Sequence, residues 1–168
     1  MDSRSVVASF FAYWRVQDLE MALGHLHSEI VYTLHNGSDA APFSGSYRGI
    51  DSCRALGYQV LAEFDYLNYE PNIVRARSSL VSAHVGFRLR HRATGHVIEG
   101  SQRSIFQVRD GLIARVDIYE DAARIEAYMK LAAQRMAGDR SAGLQRAAAE
   151  AAAIGLEFHR GALRHGGG

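Results

Sequence analysis

The sequence has little cysteine, a single lysine and almost no net charge, and the shortages of cysteine and of net charge each exclude a class of protein. Cys53 is the only cysteine among 168 residues, so an internal disulfide framework is excluded. No cysteine and histidine cluster has the spacing of a zinc site, and we expect no metal or other cofactor. Nineteen Lys and Arg residues against 18 Asp and Glu leave a net charge of +1, and Lys130 is the only lysine. A chain this balanced has no general attraction to nucleic acid or to anionic membranes.

Long apolar runs are also missing from the start of the sequence. A signal peptide or a membrane span would need such a run, so we expect a cytoplasmic protein. The composition, with 48% hydrophobic and 22% charged residues, is ordinary for a soluble globular protein. The length gives room for one domain with a sizeable core.

The first part of the chain is predicted to form three helices and one strand. Apolar residues at helical spacing predict helices over 4–16, from after Asp18 to Leu26, and over 50–64. Residues 30–35 predict a short strand. The segment that follows this strand is rich in turn-forming residues and predicts a loop.

From residue 67 onward the apolar pattern changes to a period of two, which predicts β-strands. Strands are expected over 81–89, 97–108 and 112–120, and each would have one apolar and one polar face. A turn with Thr94-Gly95 at its tip and a three-residue loop over 109–111 would join them as antiparallel hairpins.

These two turns predict which residues pair across the sheet. Phe87 would face Gln102, which in turn would face Ile118. The expected inner face is apolar and consists of Val85, Phe87, Leu89, Ile98, Phe106, Val116 and Ile118. The expected outer face is charged, with Asp117 paired with Arg103. A slip of one residue would bury these charges, so the assignment of faces is well specified.

The carboxyl-terminal part is predicted to hold one more helix and an appendage. Asp121 would cap a helix running to about residue 136, which gives a domain over 1–136. Residues 137–168 are rich in alanine and predict either an appended helix or a tail.

The order of these elements, together with several short motifs, resembles the SnoaL-like branch of the nuclear transport factor 2-like superfamily. The motifs are Asp18-Leu19-Glu20, the strand 30–35, PFSGSYRG (42–49), FQVRDGLI (106–113) and YEDAARIEAY (119–128). The resemblance implies an α+β fold in which a curved antiparallel sheet packs on three amino-terminal helices, with a carboxyl-terminal helix. It also implies one enclosed pocket and a homodimer formed through the convex face of the sheet.

The resemblance further implies where catalytic residues would lie, and this chain departs from those patterns. Ketosteroid isomerases use a tyrosine of the first helix and an aspartate of the first strand, which match Phe10 and Leu34 here. The Asp-Arg-Asp set of the epoxide hydrolases matches Phe87, Val85 and Ile118. SnoaL-like cyclases place an acid on the last strand, where Ile118 again stands. The known chemistries of the family are therefore not expected in their known form.

The polar residues left on the apolar face are expected to orient a ligand. Tyr32 matches a tyrosine of the epoxide hydrolases, and Gln102 would need a partner because burying an unpaired amide is costly. The expected ligand-binding residues are Tyr32, Gln102, Trp14, Phe87, Ser104, Val116, Ile118, Val85, Phe10 and Leu34. The expected partner is a mainly apolar small molecule of steroid-, terpenoid- or polyketide-like type.

Two alternatives remain open at this point. The first is an isomerase, lyase or cyclase whose base is not identified, with His35 and Tyr32 as the first suspects. The second is a dimeric interaction module with a filled core and no ligand. Fold alone does not choose among these functions.

Overall fold

The computed structural model describes residues 1–35, 43–120, 133–134 and 137–150. The chain divides into two compact units, Met1–Met129 and Lys130–Gly168. In the second unit, residues 137–150 are helical and most of their side chains are exposed.

Two expectations for the carboxyl-terminal part reach beyond the described residues. Most of the predicted helix after Asp121 lies outside them, and so does the chain after residue 150. The domain boundary after residue 136 stays a prediction.

Three helices precede most of the sheet, as expected. They are α1 (Ser3–Arg15), α2 (Leu19–Leu23) and α3 (Gly49–Glu63). The carboxylates of Asp2 and Asp18 cap α1 and α2 by accepting backbone N–H groups at 2.8 and 3.1 Å. Helix α2 is shorter than predicted, because Leu26 already belongs to the first strand.

Among the described residues, six strands form one sheet, which together with the helices confirms the α+β class. They are β1 (Leu26–His35), β2 (Gly45–Arg48), β3 (Phe64–Arg77), β4 (Leu80–His91), β5 (Val97–Arg109) and β6 (Leu112–Glu120). Their order is β2-β1-β6-β5-β4-β3, so β2 and β3 are the edges. All neighbours are antiparallel except β1 and β6, which run parallel. The short strand β2 lies inside the segment that was predicted as a loop.

The predicted cross-strand partners were wrong by two residues in both hairpins. Phe87 faces Gly100 rather than Gln102, and Gln102 faces Glu120 rather than Ile118. Because side chains alternate with a period of two, a shift of two residues leaves every side chain on its predicted face.

The turn between β5 and β6 explains part of this shift. Arg109 pairs with Leu112, so the loop contains only Asp110 and Gly111. Their φ angles of 53° and 75° are those of a type I′ turn, whose twist suits a tight hairpin. The three-residue loop expected here was therefore wrong.

A β-bulge next to this turn determines which residues of β6 point toward the core. The pairing shifts between Gln107 and Val108, and it leaves Ala114 of β6 without a partner in the ladder. Ile113 and Val116 lie on either side of the bulge and are both fully buried. The bulge therefore turns the remaining even-numbered residues of β6 toward the core.

Candidate ligand pocket and its carboxyl group

A cavity of about 130 Å³ lies between the inner face of the sheet and the helices. This is roughly ten times the space that one water molecule needs. Seven of the predicted ligand-binding residues line it, namely Phe10, Trp14, Tyr32, Leu34, Phe87, Gln102 and Ile118. The wall that they form is mainly apolar. The predicted sharing of one cavity by Tyr32 and Gln102 therefore agrees with the geometry.

Three of the predicted pocket residues lie elsewhere. Val85, Val116 and Ser104 are fully buried in the core and do not line the cavity. At this end of the sheet the side chains of α1 fill the space, and the rings of Phe11 and Phe106 meet edge to face with centroids 5.2 Å apart. The Oγ atom of Ser104 has no hydrogen-bond partner among the described residues.

Glu120, at the end of β6, also lines the cavity and was not predicted. Burial raises the pKa of its carboxyl group from 4.5 to about 7. The signal was present in the sequence, because Glu120 continues the alternation of Val116 and Ile118 by two residues. Within the described part of the chain, the cavity is therefore lined by one carboxyl group, whose pKa lies near neutral.

Three tyrosines of the described chain contribute hydroxyl groups to the lining of the cavity. Tyr32, Tyr66 and Tyr69 all line it, and burial raises the pKa of each hydroxyl above its usual range. The rings of Tyr66 and Tyr69 are 5.6 Å apart at their centroids, and Trp14 contacts Tyr66 edge to face at 5.9 Å. A hydroxyl with a raised pKa stays neutral, so these groups can donate hydrogen bonds but are poor bases.

Tyr66 and Tyr69 were missed because no strand was predicted over Phe64–Arg77. They lie three residues apart on β3, and the pairing of β3 with β4 shifts between Tyr66 and Asn68. This irregularity brings both side chains to the cavity, although a strict alternation would place them on opposite faces.

Cys53 of α3 has the buried position that its apolar helix face predicts, and it also lines the cavity. Burial raises the pKa of its thiol to about 11. The group is therefore a neutral thiol at physiological pH and a weak nucleophile.

Asp117 lies on the outer face as predicted, but its partners differ. Its carboxylate accepts hydrogen bonds from Arg115 at 2.6 and 2.9 Å and contacts His35 Nε2 at 2.8 Å. The Arg115 guanidinium, followed by His35, holds the pKa of Asp117 below its usual range. Arg103, the predicted partner, instead lies over the ring of Tyr119 at 5.0 Å. Asp117 and His35 are therefore both outside the cavity.

The arginines at the end of β4 are also paired. Arg88 contacts Glu99 at 2.9 Å, and Arg90 and Arg92 contact Asp65 at 2.8 and 2.9 Å. These carboxylates offset much of the positive charge of the three arginines.

The part of the chain that the structure describes has neither a cluster of metal ligands nor a membrane-spanning helix. No group of three His, Cys, Asp or Glu side chains is placed to hold a metal ion. In the same residues, no helix has both the length and the apolar character needed to cross a membrane.

Comparison with known proteins identifies the family. Residues 7–116 match the SnoaL-like domain, and the chain belongs to this family. No functionally curated protein matches the sequence.

Solved structures of this fold are similar to the chain at low sequence identity. An NTF2-like protein from Burkholderia thailandensis has a TM-score of 0.68 and 19% identity, over 77% of this chain and 98% of that one. A proposed SnoaL-like polyketide cyclase from Mesorhizobium loti has a TM-score of 0.60 and 13% identity, over 71% and 99%. TerC, crystallised with polyporic acid, has a TM-score of 0.62 and 17% identity, over 74% and 98%. At these identities the likeness establishes the fold alone.

Proposed function

We propose that this protein binds a mainly apolar small molecule of steroid-, terpenoid- or polyketide-like type and exchanges a proton with it through Glu120. The observation behind the proposal is that, among the described residues, one carboxyl group lines a mainly apolar cavity and has a pKa raised to about 7. A general acid–base group works best when its pKa lies near the working pH. Glu120 is thus the base that sequence reasoning did not identify.

The other two suspects fit this role less well. His35 contacts Asp117 on the outer face and does not line the cavity. The pKa of Tyr32 is raised well above 10 by burial, so its hydroxyl is a hydrogen-bond donor at neutral pH. We assign Tyr32 and Gln102 to the orientation of a ligand oxygen.

The reaction that fits these groups is proton transfer next to a carbonyl. The ionised Glu120 carboxylate would accept a proton from the carbon beside the carbonyl, and the electron pair of that C–H bond would move toward the carbonyl oxygen. Neutral hydroxyl or amide donors such as those of Tyr32 and Gln102 would stabilise the charge that develops there. Return of the proton to a different atom gives an isomerase, and loss of a leaving group or ring closure gives a lyase or a cyclase.

The test uses 2-tetralone, an apolar two-ring ketone with exchangeable protons next to its carbonyl. We expect the protein to accelerate their exchange for deuterium in D₂O, followed by NMR. Glu120→Gln should lower this rate by about 100-fold or more. Glu70→Gln is the matched control, because Glu70 is exposed on β3.

Three outcomes separate the possible functions. Exchange that depends on Glu120 supports the enzyme. Binding of 2-tetralone without accelerated exchange contradicts the catalytic part and leaves a binding protein. Absence of both binding and exchange contradicts the whole proposal and favours the interaction module. Tyr32→Phe should weaken binding about fivefold, which corresponds to the loss of one hydrogen bond of roughly 1 kcal/mol.

We also propose that two copies pair through the outer face. This face combines charged groups with the exposed ring of Tyr119 and the partly buried Ile105. A standard interface would bury roughly 1,200–2,000 Å². Light scattering at micromolar concentration should report twice the chain mass of 18.5 kDa, and a monomer throughout that range would contradict the proposal. We propose separately that the protein is cytoplasmic.

A further inference from the structure

Phe43 has a backbone conformation that phenylalanine rarely adopts. Its φ angle is +66°, in the left-handed region, where the Cβ atom of a bulky residue is crowded. Two residues later, at φ +125°, the chain has Gly45, the residue type that tolerates positive φ angles. Strained residues of this kind persist only where their surroundings hold them, and they concentrate at ligand sites and catalytic sites.

The position of Phe43 connects this strain to the cavity. Phe43 lines the cavity and lies just before the edge strand β2. The neighbouring strand β1 contributes Tyr32 and Leu34 to the same wall, and these residues pair with Tyr47 and Gly45 of β2. Phe43 therefore forms part of the cavity wall beside the edge strand β2.

One side chain holds the strained backbone in place. The Oη atom of Tyr47 donates a hydrogen bond to the carbonyl oxygen of Phe43 at 2.9 Å. Burial raises the pKa of Tyr47, so its hydroxyl remains a donor across the physiological range. Because Tyr47 pairs with Tyr32 in the sheet, this bond links Phe43 to the strand of the proposed polar anchor.

We infer that Phe43 is a specificity-determining residue that limits the size of the ring system the cavity accepts, and that Tyr47 is its positioning residue. A glycine would adopt this backbone conformation without strain, whereas the phenylalanine adds a large apolar side chain to the cavity wall. The inference rests on the proposed function, since it requires the cavity to bind apolar ring compounds.

The test compares three planar probes that share one hydroxyl group and differ in size: phenol, 2-naphthol and 1-hydroxypyrene. Their dissociation constants are measured by calorimetry or fluorescence for the wild type, Phe43→Gly, Phe43→Leu and Tyr47→Phe. We expect the wild type to bind 2-naphthol more tightly than 1-hydroxypyrene. Phe43→Gly should strengthen binding of 1-hydroxypyrene about fivefold or more, and it should weaken binding of 2-naphthol by about threefold because ring contacts are lost.

The other variants should change the preference between the two larger probes by smaller factors or not at all. Phe43→Leu keeps a side chain at this position, so it should give an intermediate preference between the two larger probes. It also tests the inference if the glycine variant does not fold. Tyr47→Phe should shift the preference in the same direction by a smaller factor. Tyr58→Phe is the control for loss of a tyrosine hydroxyl, because Tyr58 is exposed and its hydroxyl bonds to Glu20 outside the cavity. It should leave the preference unchanged.

A merely structural role for Phe43 gives a different result. Loss of a core contact would lower the melting temperature and weaken all three probes by the same factor, and this outcome overturns the inference. If the wild type binds the probes and the Phe43 variants keep the same preference between them, the inference is also overturned, while the proposed function stays intact. Failure of the wild type and every variant to bind any probe overturns both proposals.

Discussion

Gln102 and Glu120 lie directly opposite each other on β5 and β6, and both line the cavity. The pair places a neutral amide beside a carboxyl group whose pKa burial raises to about 7. The charge in this part of the cavity therefore changes near neutral pH, while the amide keeps its hydrogen-bonding capacity at every pH.

This relationship predicts that Glu120 makes the protein less stable as the pH rises. Below pH 4.5 the carboxyl group is protonated in both the folded and unfolded chains, so it has no effect. Between pH 4.5 and about 7 only the unfolded chain ionises, and the free energy of unfolding falls. The shift corresponds to a loss on the order of 3 kcal/mol above pH 7.

Glu120→Gln removes this titration, so its stability relative to the wild type should increase from pH 5 to pH 8. Urea unfolding at several pH values measures the difference. Glu70→Gln should show no such trend. A difference between Glu120→Gln and the wild type that is constant across this pH range would mean that Glu120 has an ordinary pKa.

A second prediction concerns the support of the Phe87 ring. A Cβ atom at Gly100 would lie 2.6 Å from the ring of Phe87, which itself lines the cavity. Gly100→Ala should therefore lower the free energy of unfolding by about 1–3 kcal/mol. It should also change the affinity for 2-naphthol. Gly86→Ala is the matched control, because a Cβ atom there meets nothing within 4 Å and should change stability by less than about 0.5 kcal/mol. Equal effects of the two substitutions would contradict the proposed contact.

A third prediction concerns Ser104, whose buried hydroxyl has no hydrogen-bond partner among the described residues. Ser104→Ala removes this group without changing the shape of the core much. We expect the free energy of unfolding to rise by up to about 1 kcal/mol. The exposed Ser101→Ala serves as the control in chemical denaturation. A clear loss of stability in Ser104→Ala would show that the hydroxyl has a partner, such as a buried water molecule.

A fourth prediction separates the outer face from the cavity. Asp117→Asn leaves the donors of Arg115 and His35 without their carboxylate, and it should cost about 1–2 kcal/mol of stability at pH 7. Because the pKa of Asp117 is lowered in the folded protein, this stabilisation is present above pH 3.8 and is lost as the pH falls through the folded pKa.

Two measurements check the prediction for Asp117. The difference in melting temperature between Asp117→Asn and the wild type should be present at pH 7 and shrink below pH 3.8. The affinity for 2-naphthol should stay unchanged, because Asp117 does not line the cavity. Loss of probe binding in this variant would place Asp117 in the site and contradict the assignment of faces.

The sequence predicted the faces of the sheet better than its pairing. Alternation along β5 and β6 placed Gln102 and Ile118 inward and Asp117 outward, because a pleated strand has only two sides. The partner of each residue was wrong, since pairing depends on the length of the turn and on the bulge beside Ala114. The Asp110-Gly111 pair is a known signature of a two-residue type I′ turn, so the turn length was open to prediction, whereas the bulge has no strong signature in a single sequence.

Within this protein, the sequence by itself determined the family, the three helices, the inward face and seven of the residues that line the cavity. These follow from local periodicity and from the order of short motifs. Only the tertiary structure decided that Glu120 meets an apolar cavity, that Asp117 bonds to Arg115 and His35, and that Phe43 is held in a strained conformation. The physical reason is that a pKa, an ion pair and a strained backbone depend on groups that are distant in the chain and meet only when it folds.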